Sequence, residues 1–208
     1  GVANADAEYR AVNICYGAGE TTFDVATGGA CDEGYATHLL GRGNILNITA
    51  ALAVAERMGV GRDMRHRGVR QIEQVEHRLS QRRGGGVTIL DDAYNSNPEG
   101  ARMALEVLSH FVTDGRRYVV TPGFVEMGES QYRNNRELGR QIALSADIAV
   151  VVNRTNRDAI VEGLREAEFG EQNIVQADSF AEASAFLAGT MRVGDIVLYE
   201  NDLPDSFK

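Results

Sequence analysis

From residue 87 onward, short apolar runs alternate strictly with helical stripes, and this alternation restricts the fold more than any other feature. The runs are 87–90, 118–121, 147–152, 173–177 and 195–199. Asn97 is placed to cap the first intervening helix, with Pro98 in its first turn, where a missing N–H costs nothing. Ala101, Ala104, Leu105, Leu108 and Phe111 then share one face of it. Ser130, Thr155 and Ser179 head the other three helical segments. Strands and helices in alternation make βαβ units. These fold as a mainly parallel sheet covered by helices, with right-handed crossovers. The fold class expected for 86–208 is therefore α/β, Rossmann-like.

Residues 1–85 follow another pattern. The segments 11–16, 21–27 and 35–40 alternate apolar and polar positions and are punctuated by Gly17, Gly19, Gly28 and Gly29, which predicts an antiparallel meander. A helix over 44–58 carries Ile45, Ile48, Leu52 and Ala55 at helical spacing, and Gly59 ends it. A second helix is expected from Asp63, as N-cap, to about residue 75. The three glycines at 84–86 mark the junction between the two parts and are the candidate hinge.

The net charge of −9 over 208 residues repels phosphate backbones, so nucleic acid is excluded as a partner. Seven arginines fall within 62–83, but Glu73 and Glu76 interrupt them, and a solvated helix face accounts for the run. Cys15 and Cys31 lie outside any metal-binding spacing and read as free thiols of a reducing, cytoplasmic setting. No apolar run approaches the ~18 residues of a membrane span. The opening GVANADAEYR does not read as a signal peptide, and a start at Gly1 rather than Met suggests a truncated or processed chain.

Ligands of open α/β sheets bind at the carboxyl ends of the strands. Two loops stand there. DDAYNSNPEG (91–100) offers Asp91, Asp92, Tyr94, Asn95, Ser96 and Asn97 where a turn needs only one cap. An Asx-turn and an N-cap explain Asn97 and Asn95 but not the adjacent carboxylates. TPGFVEMGES (121–130) carries Gly123 and Gly128, which let backbone approach a ligand, and Glu126 and Glu129, which suit a cation or an amine. An ordinary acidic loop before a helix explains this segment equally well. At GNILN (43–47), Asn44 reads as an N-cap and Asn47 lies on the same helix face, so two amides stand where a base edge could be read. The glycines at 84–86 lack the lysine and hydroxyl of a phosphate loop. His38, His66, His77 and His110 show no ligand spacing and read as structural or exposed.

Taken together, several strings are more specific. GRGNILNITAALAVAERMGV, EHRL, VTILDDAYNSNPEGARMALEVL, TPGFVEMGESQYRNNRELGRQIA and GDIVLYENDLPDSF resemble the Mur ligase family. DDAYNSNP is most similar to its MurF branch. The resemblance spans about 11–208, and it divides the chain into the tail of a central ATP-binding domain (1–85) and a carboxy-terminal Rossmann-like domain (86–208).

The resemblance implies an ATP-dependent amide ligase that phosphorylates a carboxylate and lets an amine attack the acyl phosphate. In the MurF branch the acid is UDP-N-acetylmuramoyl-tripeptide and the amine is D-alanyl-D-alanine, in peptidoglycan precursor synthesis. It places Asn44 and Asn47 by the adenine, Arg78 by the ribose and phosphates, and Asp92 on the ribose hydroxyls. Tyr94, Asn95, Ser96 and Asn97 would face nucleotide and amine, and Gly123 and Glu126 would help shape the amine site. Gly43 departs from the family, which often has His there. The family's phosphate loop and modified lysine, and most of its Mg²⁺ ligands, precede the matched region, so the isolated chain is expected not to catalyse. The strands of 11–40 would then expose a sheet edge able to self-associate. A standalone nucleotide- or peptide-binding module and a ligase for another amino acid or polyamide are the competing expectations.

Overall fold

The computed structural model describes residues 1–17, 19–94 and 96–202. The chain forms two compact units, Gly1–Val75 and Glu76–Lys208.

The first unit has three antiparallel strands, β1 (Tyr9–Tyr16), β2 (Thr21–Thr27) and β3 (Ala30–Thr37), and two helices, α1 (Arg42–Arg57) and α2 (Arg62–Arg70). The meander expected from the sequence is present. Its third strand starts earlier than 35, because Gly29, at φ 126°, turns the chain straight back and Thr27 pairs with Ala30. Phe23, Val25 and Tyr35 bury against Ile45, Ile48 and Leu52 of α1 and Val69 of α2. Asp32 fastens α2 to the sheet. Its carboxylate accepts from Tyr35 Oη and Arg62 Nε at 2.6 Å and from Arg65 Nη2 and His66 Nε2 at 3.0 Å.

Both sheet edges are blunted. A register shift between Val12 and Cys15, with Asn13 at φ 54°, breaks β1, and Asp32 and Glu33 charge β3. Bulges and edge charges discourage strand addition. On the outer side of β1 the amino terminus already occupies part of the edge: Gly1 donates to the Tyr9 carbonyl and its own carbonyl accepts from Ala11 N at 2.9 Å.

The second unit is a six-stranded sheet in the order β4-β5-β9-β6-β7-β8. Its strands are β4 (Ser80–Gly84), β5 (Val87–Asp92), β6 (Arg117–Thr121), β7 (Ile148–Val152), β8 (Ile174–Ala177) and β9 (Ile196–Glu200). The helices are α3 (Pro98–His110), α4 (Gln131–Ser145), α5 (Arg157–Glu166) and α6 (Phe180–Thr190). Strands β5 to β9 are parallel, as the alternation predicts; β4 is antiparallel to β5. Ser-Gln-Arg-Arg-Gly has no apolar signal, which hid β4 from sequence reading. The glycines at 84–86 consequently do not separate the units. Gly85 (φ 60°) and Gly86 (φ 80°) make the two-residue turn of the β4–β5 hairpin, which needs positive φ at both positions. The division by contacts falls at Val75/Glu76 rather than at residue 85.

The chain steps outward from β5 through β6 and β7 to β8 by way of α3, α4 and α5. It returns by α6 to β9, which inserts between β5 and β6. Right-handed crossovers put the three outward helices on one face and the returning α6 on the other. Ala183 and Leu187 of α6 pack with Tyr118, Val120, Val150, Val152 and Ala177. Alternate residues such as Leu90, Val119, Val151 and Leu198 point to the opposite face and are buried there. Glycines let α4 and α5 touch closely: a Cβ on Gly163 would stand 1.9 Å from the Arg136 carbonyl oxygen, and one on Gly139 2.1 Å from that of Ile160.

Candidate functional site

Beside the carboxyl ends of the parallel strands lies a cavity of about 860 Å³. Its origin is topological. The single returning helix leaves Ile89, Val120, Val152 and Tyr199 as an apolar floor. Phe180, at the start of α6, is 59% exposed, with its ring 5.8 Å from that of Tyr199. The rim is polar and includes His77, Arg82, Arg83, Asp91 and Asn201. Apolar floors with a few convergent polar groups are the usual form of small-molecule sites.

Asp91, the residue before the last of β5, faces the cavity and is 5% exposed. Both its oxygens lie 3.0 Å from His77 Nδ1, and Arg82 Nη2 donates to it as well. Burial alone would raise the Asp91 carboxyl, but the hydrogen bonds from His77 and Arg82 outweigh it and hold the group below the ordinary aspartate value. His77 itself is in the left-handed region at φ 59°, and its carbonyl accepts the Tyr94 N–H at 3.2 Å.

Asp92 points to the other face, in register with Glu200 of the neighbouring β9. Burial pushes Asp92 up to about 6, opposed by the Leu79 N–H and the charge of Arg78. Glu200 is fully buried and is pushed up to about 8, first by burial and then by the charge of Asp92. Ser96 Oγ donates to Glu200 Oε1, while Oε2 has no partner among the described residues. Burial and mutual repulsion thus both favour a proton held within this pair.

The loop after β6 is fixed by amides. Asn135 is fully buried; its Oδ1 accepts from Phe124 N at 2.8 Å and its Nδ2 donates to the Phe124 carbonyl at 2.9 Å. Asn156 Nδ2 donates to the Pro122 carbonyl at 3.0 Å, and Asn201 Nδ2 to that of Gly123 at 2.6 Å. Gly123, at φ 78°, has no room for a side chain: a Cβ would meet Asn135 Oδ1 at 2.2 Å.

The residues singled out from the sequence divide between the units. Asn44 and Asn47 are on α1. Asn44 is not the N-cap: the helix starts at Arg42 after Gly41, and Asn44 Nδ2 donates to the Leu40 carbonyl at 2.7 Å. Asn47 is exposed. In the second unit the guanidinium of Arg78 lies over the exposed ring of Tyr94, 4.1 Å from its centre. Asn97 caps α3, its Oδ1 accepting from Glu99 N at 3.1 Å and Gly100 N at 3.0 Å. Ser96 is turned to Glu200. Glu126 is exposed, at φ 61°. Asn95 lies outside the described residues. Sequence reading did not single out His77, Arg82, Glu200 or Asn201 as site residues. Their partners are distant in sequence, and only the topology joins them.

Comparison with known proteins agrees with this architecture. The family described as "Mur ligase, glutamate ligase domain" matches residues 77–199. The UDP-N-acetylmuramoylalanine–D-glutamate ligase of Pelotomaculum thermopropionicum is 32% identical over 161 residues, covering 77% of this chain and 32% of that protein. The UDP-N-acetylmuramoyl-tripeptide–D-alanyl-D-alanine ligase of Mycobacterium tuberculosis (strain ATCC 25618 / H37Rv) is 29% identical over 177 residues, covering 74% and 34%. Among solved structures, the MurF ligase from Thermotoga maritima in complex with ADP superposes with a TM-score of 0.75 at 22% identity, covering 94% of this chain and 43% of that one. The chain spans about a third of the length of these two curated relatives.

Proposed function

Because the chain belongs to the Mur ligase family of ATP-dependent ligases, we propose that it is the nucleotide- and amine-facing part of a ligase that joins D-alanyl-D-alanine to UDP-N-acetylmuramoyl-tripeptide through an acyl phosphate, in cytoplasmic peptidoglycan precursor synthesis. The observation that carries the nucleotide half is the grouping of Arg78, Tyr94 and Asp92 at the end of β5. A guanidinium suits phosphate oxygens, and a carboxylate accepts from ribose hydroxyls. This donor set fits ATP. Asn44 and Asn47, on α1, supply amides for the base. When bound, ATP supplies the phosphoryl group that activates the acid. Mg²⁺ would accompany the nucleotide, held mostly by ligands outside this chain.

The DDAYNSNP string and the Mycobacterium tuberculosis relative favour D-alanyl-D-alanine as the amine. D-glutamate is the second reading, favoured by the 32% identity to a D-glutamate ligase. Titration calorimetry of the chain with ADP tests the nucleotide half: Arg78→Ala and Asp92→Asn should each weaken binding about tenfold or more. Unchanged affinity in both variants overturns the assignment. For the amine, phosphate release by the intact protein with each candidate decides between the two. The chain alone should release none, since phosphoryl transfer needs positioning groups that it does not carry.

A further inference from the structure

Arg78, Tyr94 and Asp92, on which the nucleotide reading rests, are not among the residues that line the cavity at the strand ends. His77 Nδ1 faces an acidic group that stays ionised, and an ionised carboxylate can only accept. The ring proton therefore sits on Nδ1, and in the neutral ring Nε2 carries the lone pair. The side chain is half exposed, at 50%, and lines the cavity. Its left-handed backbone is held by the Tyr94 N–H, and backbone strain of this kind is concentrated at functional sites. A second, independent feature points to a ligand with N–H groups. Asn201 lines the same cavity and is 8% exposed. Its Nδ2 is committed to the Gly123 carbonyl, while among the described residues its buried Oδ1 has no hydrogen-bond partner. A buried acceptor left open in this way is costly unless a ligand donor meets it. The charged groups that face His77 or share its cavity are Asp91, Arg82, Arg83, Asp178 and Asp202. Of these, Asp178 is held by Arg154 and Arg157.

We propose that His77 is the proton acceptor for the incoming amine, with Asp91 as its positioning residue and Asn201 Oδ1 as the acceptor that holds the ammonium. This rests on the ligase reading above. The amine arrives as R–NH₃⁺. One proton passes to His77 Nε2, giving an imidazolium beside the Asp91 carboxylate and freeing the nitrogen lone pair. That pair forms the C–N bond at the carbonyl carbon of the acyl phosphate. The C–O bond to phosphorus breaks with its electrons on the leaving phosphate. The nitrogen's second proton goes to that phosphate, giving HPO₄²⁻, and the third remains as the amide N–H. His77 thus does for the nucleophile what an oriented imidazole does in other acyl transfers.

The ring itself gives the first test. Long-range ¹H–¹⁵N correlation spectra of the labelled 208-residue chain should show neutral His77 as the Nδ1–H tautomer, and Asp91→Asn should shift it toward Nε2–H. A wild-type ring protonated on Nε2 overturns the proposal, since no lone pair would then face the amine. In the intact protein, His77→Asn keeps a residue that tolerates left-handed backbone but cannot take a proton. It should lower kcat about 100-fold, leave KM for ATP within about twofold, and abolish the ascending limb of kcat against pH. Unchanged kcat and an unchanged limb in that variant overturn the proposal alone. Wild-type protein that turns over with neither D-alanyl-D-alanine nor D-glutamate overturns the ligase reading, and the proposal with it.

Discussion

Two carboxyls side by side at the ends of β5 and β9 give the second unit a pH response whose sign is fixed. The Glu200 carboxyl is pushed up to about 8 from its ordinary 4.5. Between those values the folded chain keeps the proton and the unfolded chain releases it, so stability falls as pH rises, by at most about 1.4 kcal/mol per pH unit. Glu200→Gln should flatten this slope above the range in which Asp92 itself titrates, read as urea midpoints at about pH 6.5 and about pH 8; an unchanged slope there would refute it. Asp178 works in the opposite sense. Hydrogen bonds from Arg154 and Arg157 lower it to about 2, so its contribution is lost only as pH falls below the ordinary aspartate range. Gly123→Ala should cost about 2–3 kcal/mol, from the left-handed backbone and the buried amide of Asn135 together. What was legible at this scale was local. Asn97 and Ser179 cap the helices they precede, because a cap needs only the next turn. Ser130 and Thr155 do not cap theirs: Ser130 Oγ turns back to Met127, and α5 begins after Asn156, whose amide is bound to Gln131 and Pro122. His77 and Asn201 could not be read, because their partners Asp91 and Gly123 are 14 and 78 residues away.

At the scale of elements, apolar runs announced β5 to β9 and apolar stripes announced α3 to α6. Strand β4 stayed hidden because an edge strand exposed along most of its length needs no apolar residue; Arg82, Arg83 and Gly84 are all exposed. Helix α2 ends at Arg70, short of the expected 75, since the residues after it enter a turn. The glycines of α4 and α5 were equally silent, because close helix contact leaves no periodic trace. Gly163→Ala makes the sign testable. Helix propensity alone favours alanine by about 1 kcal/mol, but a Cβ at 1.9 Å from a backbone oxygen forces the helices apart, at about 2–3 kcal/mol. Net destabilisation in chemical unfolding is the expected outcome, and net stabilisation would show that the helices can separate freely. Asp32→Ala should likewise loosen α2, which Asp32 holds through Arg62, Arg65 and His66. Hydrogen exchange in 62–70 should then rise with little change in the second unit.

At the scale of the whole molecule, two units joined by a segment without helix or strand, 72–79 apart from its turns, should behave as separable pieces. A non-specific protease is expected to cut first within 71–75, and a chain beginning at Glu76 should fold by itself, judged by cooperative melting. Resistance of that segment, or a molten carboxy-terminal piece, would show one cooperative body instead. The parallel sheet also goes out in three crossovers and comes back in one. Its two faces are therefore unequally roofed by arithmetic, before any side chain is chosen. A recess produced by connectivity asks nothing of the hydrogen-bonded ladders around it. The exposed Phe180 can be exchanged with little demand on the scaffold, whereas His77 and Arg82 also hold the buried Asp91 carboxylate. A lineage built this way can change its chemical preference by redecorating a room whose walls it never has to move.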